Sequence, residues 1–205
     1  MPDRARVRCG WCGSDPLYVD YHDREWGVPL HDERALFELL CLEGQQAGLS
    51  WITVLRKRAR YREVFAGFDP EAVAAFGDAE LEAILRDPGV VRNRLKIHGI
   101  RRNARAWLRL RDNHGDPTRW LWGFVGGRPR VNRPADLAAI AVTTPESDAL
   151  SKALRKADFT FVGSTICHAY MQASGMVDDH VAGCWRARVA DGPAVAGSDR
   201  VPASA

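Results

Sequence analysis

The decapeptide Leu42-Glu-Gly-Gln-Gln-Ala-Gly-Leu-Ser-Trp51 sets a carboxylate, Glu43, among paired glycines and amides, with an apolar tip at Leu49 and an indole at Trp51. Upstream, Asp32 opens an apolar pattern at helical spacing: Leu36, Phe37, Leu40 and Cys41. Downstream, Ser50 suits an N-cap for a pattern through Trp51, Val54, Leu55, Arg58 and Tyr61. The stretch therefore reads as a tight turn joining two helices. A carboxylate at a helix end, facing a corner rich in aromatics, suits a pocket for a flat, nitrogen-rich ligand. Taken alone, the plainer reading is a polar turn with Glu43 in solvent.

Outward from this turn, one helical pattern follows another. Asp69-Pro70 starts one, with proline at the first helical position. Asp78 opens the next, carrying Leu81, Ile84 and Leu85, and Asp87-Pro88-Gly89 is a turn. Ile97, Ile100, Ala104, Trp107 and Leu108 give a long amphipathic helix. Trp120, Leu121, Phe124 and Val125 mark a short one, broken at Gly126-Gly127-Arg128-Pro129. Thr144-Pro145 opens a helix through Leu150, Ala153 and Leu154, and Phe159 to Gly163 forms a hairpin-like link. Ser164 caps a further helix through Ile166, Tyr170, Met171 and Ala173 that stops at Gly175. No stretch sustains a period of two, so the expected fold class is all-α. Residues 1–188 are expected to form a single domain with a frayed start at Met1–Val7. The Ala-, Gly-, Pro- and Ser-rich 189–205 is expected to be a disordered tail.

The composition bounds the function. The chain has 205 residues and is 46% hydrophobic, enough for a real core, and holds no run resembling a membrane span or a signal peptide. A cytoplasmic protein that docks on no membrane is expected. Five cysteines make an odd count with no disulfide framework. Net charge is +3, but it is uneven: basic residues crowd 56–62 and 92–111. Such runs are usually solvated helix faces; the sharper reading is contact with nucleic-acid phosphates.

Some constellations could carry chemistry. His180-x3-Cys184 places two ligands on one face of a helical turn, and Cys9 and His22 are a second close pair near the other end of the chain. Together they form a Cys2His2 set suited to tetrahedral zinc. Four protein ligands would leave no open position, so this Zn2+ would be structural, tying the chain's start to its end. Cys12 remains an alternative ligand; Cys41 and Cys167 sit in apolar patterns and read as core. In the helix–link–helix from Asp148 to Gly175, Gly163 and Ser164 stand where a helix begins, and its first amides make a ready phosphate site. Lys152, Arg155 and Lys156 add positive charge, the physics of sequence-blind DNA binding through the backbone. Trp11, Tyr18, Tyr21, Trp26 and Trp51 lie around Glu43 in sequence. Singly each reads as core; as a group they suit base stacking, worth about 1–3 kcal/mol per base, or a cationic base.

With these residues in view, the chain resembles the 3-methyladenine DNA glycosylase I family. The matching stretches are Arg8-Cys-Gly-Trp11, Asp15-Pro-Leu-Tyr18, Tyr21-His22-Asp23, Glu25-Trp-Gly-Val-Pro29, Leu42 to Leu55, Asp148 to Leu154, Phe161-Val-Gly163, and Asp179-His180-Val181 followed by Gly183-Cys184. They cover nearly all of the chain to about Arg186. The resemblance implies a helical fold of the helix-hairpin-helix glycosylase superfamily and a structural zinc on Cys9, His22, His180 and Cys184. It implies that Glu43 hydrogen-bonds an alkylated adenine with Tyr21 also in contact, that Trp51 stacks on it, and that Tyr18, Trp11 and Trp26 line the pocket. Gly48 and Leu49 would press into the gap left by a flipped base. The implied activity is monofunctional removal of 3-methyladenine from double-stranded alkylated DNA, with the free base as product, by a protein for which a monomer suffices.

Two positions depart from the family. Val177-Asp178-Asp179-His180 stands where Val-Asn-Asp-His is common, which raises a catalytic Asp178. The preference of aspartate for caps favours instead a helix start or a solvated side chain, so Asp178→Asn is expected to cost little activity. Ala157-Asp158 replaces the usual basic-glycine pair, and Asp158 near a phosphate site would weaken DNA binding. A zinc hydrolase and a DNA-binding module that recognises damage without cutting are the rival classes.

Overall fold

The computed structural model describes residues 6–187; the expectations for Met1–Ala5 and for the 189–205 tail lie outside the described residues. The chain is mostly helical. In order it forms α1 (Pro16–Arg24), α2 (Glu33–Gln46), α3 (Trp51–Leu55), α4 (Arg58–Val64), α5 (Pro70–Ala75), α6 (Asp78–Arg86), α7 (Arg94–His114), α8 (Pro117–Gly123), α9 (Pro145–Lys156) and α10 (Ser164–Ala173). The starts follow from local chemistry. Asp15, Asp32, Asp69, Asn93, Asp116 and Thr144 each accept a backbone N–H of the first turn, and proline follows four of them at the first or second helical position.

Helix α2 is the hub. Its stripe of Leu36, Phe37, Leu40, Cys41 and Leu42 is fully buried, with α3, α7, α8 and α10 packed around it. Phe37 meets Trp107 of α7 at a ring separation of 5.3 Å. Truncating so buried an aromatic costs about 3–5 kcal/mol.

The structure departs from the expected elements in four places. The quoted decapeptide is not mainly a turn: α2 continues through Gln46, so only Ala47–Ser50 connects α2 to α3. Gly44 survives inside α2 because the α9–α10 link needs the room; a Cβ there would stand 3.1 Å from Phe161 Cβ. The helix expected from Ser50 to Tyr61 is broken at Arg56–Lys57 into α3 and α4, and Tyr61 then reaches the core, where its hydroxyl donates to Gln45 Oε1 at 3.0 Å. Ser164 is the first residue of α10 rather than its cap, which is Gly163; the Ser164 hydroxyl donates instead to Asp148 of α9. Lastly, two-residue strands β1 (Arg130–Val131) and β2 (Val177–Asp178) pair in parallel, too short to leave any alternation in the sequence.

The link between α9 and α10 is clamped onto α7. Asn103 Nδ2 donates to Thr160 O at 3.1 Å and its Oδ1 accepts from Thr160 N at 2.8 Å. Arg102 and Arg109 both pair with Asp158. That neutralises the acid expected to weaken a phosphate site. The basic runs are mostly spent the same way: Arg58 grips Glu25, Arg60 holds Asp87 and Glu63, Arg62 holds Glu38, Arg94 holds Glu82, Arg101 holds Asp78, and Arg111 holds Glu71.

Candidate active site and metal cluster

The last full turn of α2 carries Glu43 into the body of the protein, where it is 3% exposed. The solvated-turn reading is therefore overturned. Glu43 lies at a cavity of about 180 Å³ walled by Trp11, Tyr18, Tyr21, Trp26 and Trp51. That is below the ~300–1,000 Å³ of clefts for drug-sized ligands, room for one base rather than a nucleotide. The rings brace one another at angles rather than stacking into a plug: Trp11 meets Tyr18 at 4.9 Å and 59°, Trp11 meets Trp26 at 5.0 Å and 68°, and Tyr21 meets Trp51 at 5.6 Å and 47°. All the aromatics singled out in the sequence are brought together.

Three polar atoms here lack partners. Glu43 Oε2, Trp11 Nε1 and Trp51 Nε1 are buried and accept or donate no hydrogen bond, although buried polar groups are normally satisfied. Burial alone pushes the Glu43 carboxyl up to about 8. Burial first, then the nearby Glu43, raises the Tyr18 and Tyr21 phenols as well, so both stay protonated at neutral pH. Gln46, Ile140, Ala169 and Gln172 complete the lining. Gln46 sits inside the decapeptide, so its chemistry was in view; Ile140 and Gln172 arrive from remote loops and helices, and no local pattern marks them.

Beyond Gln46 the chain turns at Gly48, φ +76°, and Leu49 is left 40% exposed. Where the α9–α10 link ends, Gly163 caps α10 without a side-chain hydrogen bond. The guanidinium of Arg155 lies beside it, 3.5 Å from where a Cβ would stand. Lys152, Arg155 and Lys156 of α9 are exposed.

Segments near the two ends of the described residues meet at a second site. Cys9 Sγ, His22 and Cys184 Sγ offer ligand atoms all within 4.8 Å of one another, all buried; Cys184 Sγ lies 3.4 Å from His22 Nε2. His180 is adjacent, its ring 5.2 Å from that of His22, and its buried Nε2 has no hydrogen-bond partner. Both histidines give their other nitrogen to a carboxylate: His22 Nδ1 to Asp23 Oδ1 at 2.9 Å, and His180 Nδ1 to Asp178 Oδ1 at 2.7 Å. That leaves the Nε2 of His22 at the group of three and the Nε2 of His180, outside that group, buried without a partner; such carboxylate contacts orient metal ligands. Burial lowers His22 below the ordinary histidine value, favouring the neutral ring that ligates. Burial raises the Cys9 thiol, so a thiolate there needs a cation. Cys12 turns away and donates to Cys9 O at 3.1 Å. The residues fit a metal ion.

Asp178 is neither solvated nor a helix start. It is fully buried in β2, where it holds the His180 ring and backbone, and it does not line the aromatic cavity. Trp26 joins the two sites: it lines the cavity and packs edge-on against His180 at 4.6 Å. Gly27 permits that approach; a Cβ there would stand 2.6 Å from His180 Cε1.

The comparisons with known proteins agree in one direction. The family model for methyladenine glycosylase matches residues 11–187. The chain is 54% identical over 178 residues to DNA-3-methyladenine glycosylase 1 of Escherichia coli K12, covering 86% of this chain and 95% of that protein. It is 47% identical over 178 residues to DNA-3-methyladenine glycosylase of Haemophilus influenzae, covering 87% and 96%. Among solved structures, 3-methyladenine DNA glycosylase I of Staphylococcus aureus superposes with a TM-score of 0.87 at 33% identity, over 90% of this chain and 98% of that one. A tyrosine-to-phenylalanine variant of a 3-methyladenine DNA glycosylase I, solved in complex with 3-methyladenine, gives 0.86 at 33% identity, over 89% and 98%. With likeness this extensive in sequence and in backbone, the chain belongs to the methyladenine glycosylase family.

Proposed function

We propose that the chain is a DNA repair glycosylase that flips 3-methyladenine out of alkylated duplex DNA and hydrolyses its glycosidic bond, opening base excision repair. One observation carries the reading: a buried carboxylate with an unpartnered oxygen beside a base-sized, ring-walled cavity. Methylation at N3 makes the adenine cationic and weakens its bond to the sugar, so the base leaves with little acid catalysis. Glu43, ionised beside that cation, accepts hydrogen bonds from the exocyclic amine; a guanine keto oxygen there would be repelled. Tyr21 contacts the base and Trp51 stacks on it, with Tyr18, Trp11 and Trp26 as walls. When the bond breaks, its electron pair stays with the base, which departs neutral; the positive charge passes to the sugar, and water adds there, losing a proton to solvent. Loss of the base's charge weakens its hold on Glu43 and helps release. Among the described residues no lysine lines the cavity, which fits a monofunctional enzyme without strand cleavage.

In this reading the Gly48–Leu49 tip fills the gap left by the flipped base. The helix–link–helix of α9 and α10 grips the backbone as a helix-hairpin-helix, with phosphate at Gly163 and Ser164 and with Lys152 alongside. The cluster of Cys9, His22, His180 and Cys184 would hold one structural Zn2+, which when bound clamps the chain's two ends together. The His180 Nε2 without a partner supports the fourth ligand. A closed four-ligand site would exclude the zinc-hydrolase class. A single glycosylase domain over residues 1–188, acting as a cytoplasmic monomer, completes the proposal; no described helix is long and apolar enough to cross a membrane.

The test is to incubate the protein with methylated duplex DNA and assay released bases. Free 3-methyladenine is the expected product; binding without release would leave a damage-recognition module instead.

A further inference from the structure

Lys96 stood in the sequence as one more cation of a basic helix face. The structure puts it elsewhere. It is 6% exposed, and its Nζ donates to Gln45 O at 2.8 Å and to Ala47 O at 2.6 Å. These are carbonyls at the C-terminal end of α2, where the helix leaves its last acceptors without partners and carries partial negative charge. The bridge is reciprocal: Gln45 Nε2 donates back to Lys96 O at 3.1 Å. Tyr61 buttresses it, its hydroxyl donating to Gln45 Oε1 at 3.0 Å and accepting from Val91 N at 3.0 Å. No carboxylate among the described residues pairs with Lys96. Burying an ammonium is costly, and an apolar side chain in its place would serve stability alone as well or better. The bonds are spent on the residues where the chain leaves α2, immediately before Gly48 and Leu49.

We propose that Lys96 is a positioning residue for the Gly48–Leu49 tip: from α7 it locks the exit of α2, so the tip is presented in one orientation when DNA arrives. The proposal rests on the reading of that tip as the element that enters the duplex. Glu43 lies one turn earlier, within the regular part of α2, so the base pocket does not depend on the lock in the same degree.

The experiment compares Lys96→Met, which keeps the aliphatic stem and loses the donors, with Lys96→Arg, which restores donors. Three readouts are taken well below the melting temperature: single-turnover release of 3-methyladenine from duplex DNA, binding of free 3-methyladenine, and hydrogen exchange of the amides of residues 47–50. For Lys96→Met, release from duplex falls by about tenfold to a hundredfold, the cost of misplacing a docking element by about an ångström. Free-base affinity stays within about threefold, and exchange at 47–50 quickens. Lys96→Arg recovers most of the release. Wild-type release by Lys96→Met overturns the proposal, and so does a parallel loss of free-base binding, which would make Lys96 a general support. If wild-type protein releases no base, the glycosylase reading fails; the exchange comparison still judges the lock, and unchanged exchange overturns it. Should Lys96→Met not fold, Lys96→Gln is read in the same way.

Discussion

The aromatic cavity and the basic helix faces treat polar groups in opposite ways. On the faces, guanidiniums are matched within the molecule: Arg62 with Glu38, Arg94 with Glu82, Arg101 with Asp78, Arg102 and Arg109 with Asp158. In the cavity, Glu43 Oε2 and the Trp11 and Trp51 indole nitrogens are buried and unmatched. Density of charge is therefore a poor guide to function in this chain. Incomplete satisfaction is the better one, because a buried polar group without a partner carries a cost that only a ligand offsets.

The sharpest way to break the contrast is at Glu43. Glu43→Ala or Glu43→Gln is expected to lower single-turnover release of 3-methyladenine by about 10²-fold or more, the scale of losing a precisely placed electrostatic group, with metal content and DNA affinity retained. Unchanged turnover would mean that the unmatched carboxylate has no role in the reaction. The Cys/His cluster shares the cavity's incompleteness at His180 Nε2, so under the proposed zinc site a chelator is expected to lower the melting temperature by at least about 10 °C; structural zinc contributes several kcal/mol or more to folding. A melting temperature indifferent to chelation would remove the zinc.

The ionisation of Glu43 gives a quieter test. Its folded pKa, about 8, lies above the ordinary carboxyl value. The stability of the neutral form is therefore fully present below about pH 4.5 and is lost as pH rises through about 8. Glu43→Gln is expected to leave stability unchanged at pH 4.5 and to raise it at pH 8, by an amount on the order of 1–3 kcal/mol, measured by denaturant unfolding at both values. No gain at pH 8 would show that the carboxylate finds partners in the free protein.

Two DNA-binding variants sharpen the contrast from the other side. Lys152→Ala, on the exposed α9 face, is expected to weaken duplex binding at all sequences and to reduce the salt slope by about 1. Arg62→Ala, whose charge is already matched by Glu38, is expected to leave the slope unchanged. Equal slopes for the two would erase the distinction between matched and available cations. The smallest effect belongs to Asp178→Asn. Because Asp178 holds His180 rather than facing the cavity, release of 3-methyladenine is expected to stay within about tenfold of wild type; a loss beyond about 10²-fold would make it a catalytic group.

Much of this was legible in the residues. Capping aspartates with following prolines marked the helix starts, because those rules are local. The aromatic group and the Cys/His pairs were visible as types and spacings; the structure gathers the aromatics around one cavity and brings Cys9, His22 and Cys184 together with His180 alongside. What stayed hidden depended on neighbours remote in sequence. Gly44 looked like a turn glycine because its reason for being small is Phe161 of the link. Ser50 and Ser164 both looked like caps; Ser50 does hold the N-cap position of α3, its Oγ meeting Thr53 Oγ1 at 2.8 Å, whereas Ser164 lies one residue inside α10 and bonds to α9. Lys96 could not be told from the surface cations around it, since only the fold brings α2's last carbonyls to its ammonium. Asp178 read as a cap because the strand it lies in, β2, exists only through pairing with the distant β1.

The account turns on Glu43 being the acceptor left open for a base. A crystal structure of the chain soaked with 3-methyladenine measures this directly. The base is expected between the Tyr21 and Trp51 rings, its exocyclic amine about 2.7–3.2 Å from a Glu43 oxygen. A base bound outside the aromatic cavity, or bound within it with Glu43 turned away, would contradict the account.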